Sequence, residues 1–335
     1  MNLFRTLAPI VFEATVGLFF LGHSCLAQAP DSLPMQIEAK IPLGIVMGRI
    51  DHMAIDLGRQ RLFVAELGND SVGVVDLKER KLLRRIDELK EPQGLAYVKS
   101  SDMLYVSSGG DGSVRLFRAA DFAAAGRIEL GDDADNIRVE PSTDRVFVGY
   151  GDGGLALIDP ASRQKVADIH LKAHPESFQL DRMSGLIFIN VPKAREIAVA
   201  DRVAGKQILS WPTSNESNFP MAVDEENQRV LVVFRRPATL EVLSKTEGRG
   251  IARVETCGDA DDLFLDPKRH RIYVTCGEGF VDVFEAQAEY RRLAHIPTIS
   301  GARTSLFVPE LDRLFLAARA ASGEPASVWI LRPSP

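Results

Sequence analysis

Apolar and polar residues alternate along this chain in short runs, and the runs return at a nearly fixed interval. Seven segments share one pattern: 51–56 (DHMAID), 93–98 (QGLAYV), 135–140 (DNIRVE), 176–181 (ESFQLD), 219–224 (FPMAVD), 261–266 (DDLFLD) and 304–309 (TSLFVP). Their last residues, 56, 98, 140, 181, 224, 266 and 309, differ by 42, 42, 41, 43, 42 and 43. The third position is always apolar: Met53, Leu95, Ile137, Phe178, Met221, Leu263 and Leu306. So is the fifth: Ile55, Tyr97, Val139, Leu180, Val223, Leu265 and Val308. Apolar residues at a period of two predict a strand with a buried face.

A second strand follows each segment after a short turn, as in 61–64 (RLFV), 145–148 (RVFV) and 271–274 (RIYV). Gly/Asn/Asp-rich turns come next, at 68–70, 109–112 and 151–154. Such residues tolerate the left-handed backbone of tight hairpins. A third strand and a more polar fourth close the unit, as in 72–76 and 82–86. Four antiparallel strands repeated seven times predict an all-β, seven-bladed β-propeller occupying residues 30–335 as one domain. A β-sandwich or open meander does not explain a period held from residue 51 to 309. The seventh unit supplies only three strands, and 36–42 (QIEAKIP) reads as an orphan fourth. That N-terminal strand is expected to complete the last blade and close the ring, leaving no open sheet edge there.

The run Arg271-Ile272-Tyr273-Val274-Thr275-Cys276 is similar to the YVTN signature, with Cys where Asn is usual. Residues 61–76 (RLFVAELGNDSVGVVD) resemble the strand-turn-strand unit of the same group. Over residues 36–333 the chain resembles YVTN-type, YncE-like seven-bladed propellers. The resemblance implies the fold. Propellers host binding proteins, lyases, lactonases and oxidoreductase domains alike, so function must come from the site.

Residues 1–29 have a different character. Arg5 is followed by apolar stretches at 7–12 and 16–21, and Ala27-Gln28-Ala29 has the small-x-small form of a cleavage site. This predicts a secretory signal peptide and a periplasmic or secreted protein. Cleavage after Ala27 is a competing cut, because Pro30 follows Ala29. An uncleaved anchor and a lipoprotein built on Cys25 are the weaker alternatives. No later apolar run is long enough to span a bilayer, so no membrane span is expected in the mature chain. It would keep two cysteines, Cys257 in the loop entering the sixth blade and Cys276 at the end of that blade's second strand. Both are placed on one face, which predicts a disulfide between them, with two buried free thiols as the alternative.

A formal net charge of −6 and the absence of a polybasic run argue against nucleic acid as a partner. DNA binding, with which YncE-like proteins have been linked, therefore finds no support in composition.

In a propeller the first strand of each blade lines the channel, and the starts of these strands ring one mouth. The expected ligand-binding ring is Asp51, His52, Gln93, Asp135, Asn136, Glu176, Asn218, Asp261, Asp262 and Arg303. His52 is the best candidate for a catalytic general base. Adjacent strand residues point to opposite faces, so Asp51 and His52 are not expected to pair with one another. His174 is taken as a solvated loop residue. Oxygen donors with one imidazole suit a divalent cation such as Ca²⁺ or Mg²⁺, or Mn²⁺, better than a thiophilic metal. The hairpins between second and third strands share this face. They carry Lys193, Arg195, Arg235 and Arg236 in two blades and Asp70, Asp111, Asp152 and Glu278 in four others, which predicts a rim with a basic and an acidic side. The bland alternative is a water-filled channel whose polar groups cap strand starts.

The leading functional expectation is an extracytoplasmic, monomeric propeller that binds a small molecule or a protein partner at the mouth. The alternative is a metal-dependent lyase or hydrolase, lactonase-like, using the same polar ring.

Overall fold

The computed structural model describes Met1 and residues 33–287, 289–321 and 323–335. Apart from Met1, the expected signal peptide lies outside the described residues. Among the described residues, strands assemble into seven four-stranded antiparallel sheets. The chain is an all-β seven-bladed propeller. Blade 1 consists of Met53–Asp56, Arg61–Glu66, Ser71–Asp76 and Lys81–Ile86. Blades 2 to 6 open with Pro92–Val98, Ile137–Val139, Phe178–Leu180, Glu216–Asp224 and Ala260–Asp266. Blade 7 takes Ser305–Val308, Arg313–Ala318 and Ala326–Pro333, and its outer strand is Met35–Gly44 from the other end of the chain. There Ile41 stands opposite Val328 and Met35 opposite Pro333. Each innermost strand touches those of both neighbouring blades, the first and seventh included. Among the described residues no helix is long and apolar enough to cross a membrane.

The apolar positions that set the period become the glue between blades. Among the described residues, buried side chains form seven clusters, and each bridges two successive blades. Phe63, Val72 and Val74 of blade 1 meet Leu95, Leu104 and Phe117 of blade 2. Leu62 and Val64 meet Ile41, Phe315 and Val328 across the junction of blades 7 and 1. A blade cannot bury both faces alone, so stability is shared between nearest neighbours.

The turns between first and second strands repeat as strictly as the strands. A residue with left-handed backbone precedes each second strand: Gln60, Asp102, Asp144, Gly185, Gln228, His270 and Asp312. In blades 1, 5 and 6 an aspartate ending the first strand accepts the backbone N–H three residues on, from Arg59 (3.1 Å), Asn227 (3.0 Å) and Arg269 (3.3 Å). This local bond makes Asp favourable at such turns. The same face is stitched by ion pairs between neighbouring blades. They join Arg59 to Asp102 (2.7 Å), Arg182 to Glu225 (2.8 Å) and Arg269 to Asp312 (2.6 Å). Two more, Arg202–Glu140 (2.6 Å) and Lys245–Asp181 (3.0 Å), run from the turn before a fourth strand back to the preceding blade.

Candidate functional site

The opposite face is organised by a different repeat. Near the end of the second strand in blades 2, 4 and 6 stand Ser107, Asn190 and Thr275. Each reaches forward to backbone at the mouth of the next blade. Ser107 Oγ donates to Asp135 O, Asn190 Nδ2 to Phe219 O at 2.9 Å, and Thr275 Oγ1 to Arg303 O at 2.6 Å. Ser107 Oγ also accepts Gly94 N–H at 2.9 Å. Gly94 must be glycine, because a Cβ there would lie 2.2 Å from Asp135 O. These contacts fix the backbone that presents the mouth side chains.

A cavity of about 310 Å³ opens at this mouth. Asp51, His52, Gln93, Asp135, Asn136, Glu176, Asp261 and Arg303 line it. Two residues of the expected ring are elsewhere. Asn218 is fully buried, with Nδ2 committed to Asn190 Oδ1 (3.0 Å) and Glu196 O (3.1 Å). Asp262 sits one level deeper, where it accepts Ser305 N–H at 2.6 Å and shares a second cavity with His52 and Arg138. His52 lines both cavities and so marks the waist between them.

Sequence reasoning underweighted or missed several lining residues. Lys193, Phe219 and Arg235 reach the cavity, as do Arg49, Asp133, His174 and Ser177. His174 corrects an expectation. It is 8% exposed, not solvated, because its loop folds under the hairpin of blade 3 and its Nδ1 lies 2.7 Å from Gly151 O. Arg49 and Asp133 each stand two residues before a repeat segment, so extending the alignment upstream would have found them. The rim is also polarised differently. Asp70, Asp111, Asp152 and Glu278 do not line the cavity, and its acid comes from the loops that enter the blades.

Asp51 and His52 form the second correction. His52 Nε2 lies 3.7 Å from Asp51 Oδ1, and its Nδ1 lies 3.9 Å from Asp262 Oδ1. The strand of blade 1 begins only at Met53, so the alternation of faces does not yet apply at these two positions. Burial pushes the Asp51 carboxyl up to about 6, against the pull of His52, with Asp261 and Asp135 adding to the rise. Burial likewise pushes Asp262 up to about 6. Burial opposes charge on His52, but the carboxylates around it, Asp51 first, raise it above its ordinary value.

The charges divide into two groups. In one, arginines and aspartates alternate: Arg49–Asp51 (2.9 Å), Arg303–Asp259 (2.8 Å), Arg303–Asp261 (3.1 Å), Arg235–Asp259 (3.3 Å) and Arg235–Asp261. The Arg235 guanidinium lies 3.8 Å from the Phe219 ring centre. In the other group Asp135, Glu176 and Asp133 surround His174. His174 Nε2 is 3.9 Å from Asp135 Oδ2, and Nδ1 is 3.7 Å from Asp133 Oδ2. Burial and the neighbouring Asp135 push Glu176 up to about 7. His174 rises to about 9 despite burial, through Asp135 and the Gly151 carbonyl. Asp135 is held low against burial by His174 and His52.

The disulfide Cys257–Cys276 is formed, with Cα atoms 5.8 Å apart. It pins the loop that carries Asp259 and Asp261, which is further tied by Gly277 N–H to Asp259 O (2.8 Å) and Glu278 N–H to Gly258 O (3.2 Å).

No known family model matches the chain, and no curated protein matches it. Similar solved structures do exist. Kuenenia stuttgartiensis hydrazine synthase aligns at 15% identity and a TM-score of 0.74, covering 93% of this chain and 99% of that one. A chain of the mitotic checkpoint complex aligns at 12% identity and a TM-score of 0.76, covering 95% and 99%. At these identities the likeness carries the fold alone.

Proposed function

We propose that this chain is an extracytoplasmic binding propeller of the YVTN, YncE-like kind, and that its mouth cavity holds a small polar ligand bearing an anionic group. The carrying observation is the lining. Among the described residues Phe219 is its one apolar side chain, and Lys193 reaches the cavity without an ion-pair partner. A protein partner would call for a buried apolar or aromatic anchor at the centre of its interface. A volume of about 310 Å³ falls at the small end of ligand pockets. Lys193 supplies an uncommitted cation, and Arg235 and Arg303 supply donors held in fixed geometry. The disulfide supports an oxidising compartment, as residues 1–29 do.

The test is thermal unfolding of the chain with citrate, succinate, glutamate and inorganic phosphate. A ligand at one hundred times its Kd adds about 2.7 kcal/mol of stability. At least one probe should raise Tm saturably, and Lys193→Ala and Arg235→Ala should abolish the rise. The proposal fails if no probe shifts Tm, or if the shift survives both substitutions.

A second reading, the metal-dependent lyase or hydrolase, is favoured by the placement of His52 between Asp51 and Asp262. That reading requires turnover that His52→Ala removes while ligand binding persists.

A further inference from the structure

We infer that Asp135, His174 and Glu176 form a divalent-cation site in the wall of the mouth cavity, with mixed carboxylate and imidazole ligands. The site goes beyond the binding reading above and stands whether or not an organic ligand enters the cavity.

The three side chains converge from two blade-entering loops. Each offers one donor atom within 4.8 Å of the others. Donors around one cation at bond lengths of about 2.0–2.2 Å stand roughly 3.0–4.4 Å apart, from right-angle to opposed positions. The measured 3.9 Å between His174 Nε2 and Asp135 Oδ2 falls in that interval, and it is too long for a hydrogen bond.

His174 is oriented as a ligand would be. Gly151 O can only accept, so Nδ1, 2.7 Å away, keeps its proton, and Nε2 is the atom that can coordinate, releasing its own proton as the cation binds. A backbone carbonyl behind a histidine in this way is the usual outer support of a metal ligand.

Two groups at the site, the buried Asn136 and the half-buried Glu176, lack partners. Asn136 is 3% exposed, lines the same cavity and gives Nδ2 to Asp135 Oδ2 at 3.3 Å, while its Oδ1 has no partner. A buried amide oxygen without a donor calls for an ion or an ion-bound water. Among the described residues the Glu176 carboxylate makes neither a hydrogen bond nor an ion pair. The other mouth carboxylates behave differently: Asp51 has Arg49, and Asp261 has Arg235 and Arg303.

The donor set narrows the ion. Imidazole suits zinc, iron and their neighbours, carboxylates suit manganese and the alkaline earths, and the mixed set fits Mn²⁺ or Zn²⁺ better than Ca²⁺ or Mg²⁺. The sequence points to Ca²⁺, Mg²⁺ or Mn²⁺ with His52 as the imidazole; of that set Mn²⁺ is kept, Zn²⁺ is added, and His174 is taken as the imidazole.

The experiment uses the full chain after dialysis against a chelator and without organic ligand. Mn²⁺ binding is followed by electron paramagnetic resonance of the free ion, and Zn²⁺ and Ca²⁺ by calorimetry. One Mn²⁺ or Zn²⁺ per chain is expected, bound at least about tenfold more tightly than Ca²⁺. Outer supports of a metal site are worth 10–100-fold, so His174→Ala and Glu176→Gln should each weaken binding by about 100-fold or more. Glu176→Gln is nearly isosteric, and circular dichroism checks that it stays folded. His52→Ala, which removes the other mouth imidazole, should weaken binding far less than His174→Ala and should not abolish it, because His52 faces Asp51 and Asp262. The inference is overturned if neither Mn²⁺ nor Zn²⁺ binds stoichiometrically. It is equally overturned if binding survives both substitutions, or if His52→Ala removes it.

Discussion

The two ends of the channel carry the same kinds of charged side chain and use them in opposite ways. On the face of the first-to-second-strand turns, Arg59–Asp102, Arg182–Glu225 and Arg269–Asp312 link successive blades, and each pair is 43 residues apart (102−59, 225−182 and 312−269). Their carboxyls are held below the ordinary range: Asp102 and Asp312 chiefly by Arg59 and Arg269, and Glu225 by Arg182 against burial. In and just below the mouth, burial exceeds pairing at three carboxyls and the shift reverses, to about 6 in Asp51 and the deeper Asp262 and about 7 in Glu176, while Asp135 is held low beside His174 and His52. Repeated, paired charge is part of how the ring holds together. Unrepeated, under-paired charge is held there against its own desolvation, and such strain concentrates where a ligand supplies the missing partner.

The sharpest way to break this comparison is to unpair a charge on the turn face. Lys245 Nζ meets Asp181 Oδ2 at 3.0 Å with both side chains almost fully buried, at 5% and 0% exposure. Removing one partner of such a pair leaves the other charge uncompensated, at about 3–5 kcal/mol. Lys245→Met should lower the unfolding free energy from urea titration by that amount, toward the low end because Ser184 Oγ and Met183 N–H still serve Asp181. Ligand and Mn²⁺ affinity at the mouth should not change. A loss below about 1 kcal/mol, within the range of an exposed pair, would remove the stabilising role assigned to this face.

Much of this division was legible in the sequence, for a physical reason. Strand periodicity is enforced by burial on both sides of every blade, so the apolar third and fifth positions, from Met53 and Ile55 through Leu306 and Val308, announce the seven sheets. Cys257 and Cys276 were legible because the repeat register placed both at the mouth end of blade 6. The mouth itself was legible only as far as strands reach. Asp135 and Glu176 could be placed because each stands two residues before a first strand, at Ile137 and Phe178. His174 lies four residues before its strand, in a loop whose path is set by Gly151 of another blade, and no period encodes that contact. Asp51 and His52 failed for the same reason, since alternation was applied to residues where the strand had not begun. Asn218 failed differently: Glu216–Asp224 begins early in blade 5, so Asn218 is already inside a sheet and turned to the buried Asn190.

A smaller effect sharpens the comparison through its sign. The folded chain raises Asp262 from 3.8 to about 6, chiefly by burial and then through Asp261, against His52, Ser305 N–H and Arg138. The folded state therefore holds this proton more tightly than the unfolded state. Its stabilising contribution is full below about pH 4 and is lost as pH rises through about 6. Roughly two pK units correspond to up to about 3 kcal/mol. Measured against Asp262→Asn, the wild type should lose up to that amount between pH 4 and pH 7. Asp312, held low by Arg269, must behave in the opposite sense, contributing above pH 4 and losing its contribution as pH falls. A pH-independent difference between wild type and Asp262→Asn would show that the carboxylate below the mouth is not held at a cost.

The smallest prediction asks whether position in the repeat or depth decides what a pair is worth. Arg182–Glu225 and Arg269–Asp312 link neighbouring blades across the same face and the same 43 residues, yet Arg182 is 69% exposed and Arg269 only 7%. Water screens the first pair and competes for its donors, and ordering a long exposed side chain costs entropy, so its coupling should stay below about 1 kcal/mol. Arg269 also donates to Asp266 and to the Ser334 carbonyl, and cannot leave without stranding a buried carboxylate. A double-mutant cycle with Arg182→Ala and Glu225→Gln should therefore give a coupling smaller than the cycle with Arg269→Ala and Asp312→Asn. Equal couplings would mean that repeat position outweighs depth. Desolvation would then no longer account for the raised carboxyls at the mouth either, because they rest on the same dependence of charge on burial.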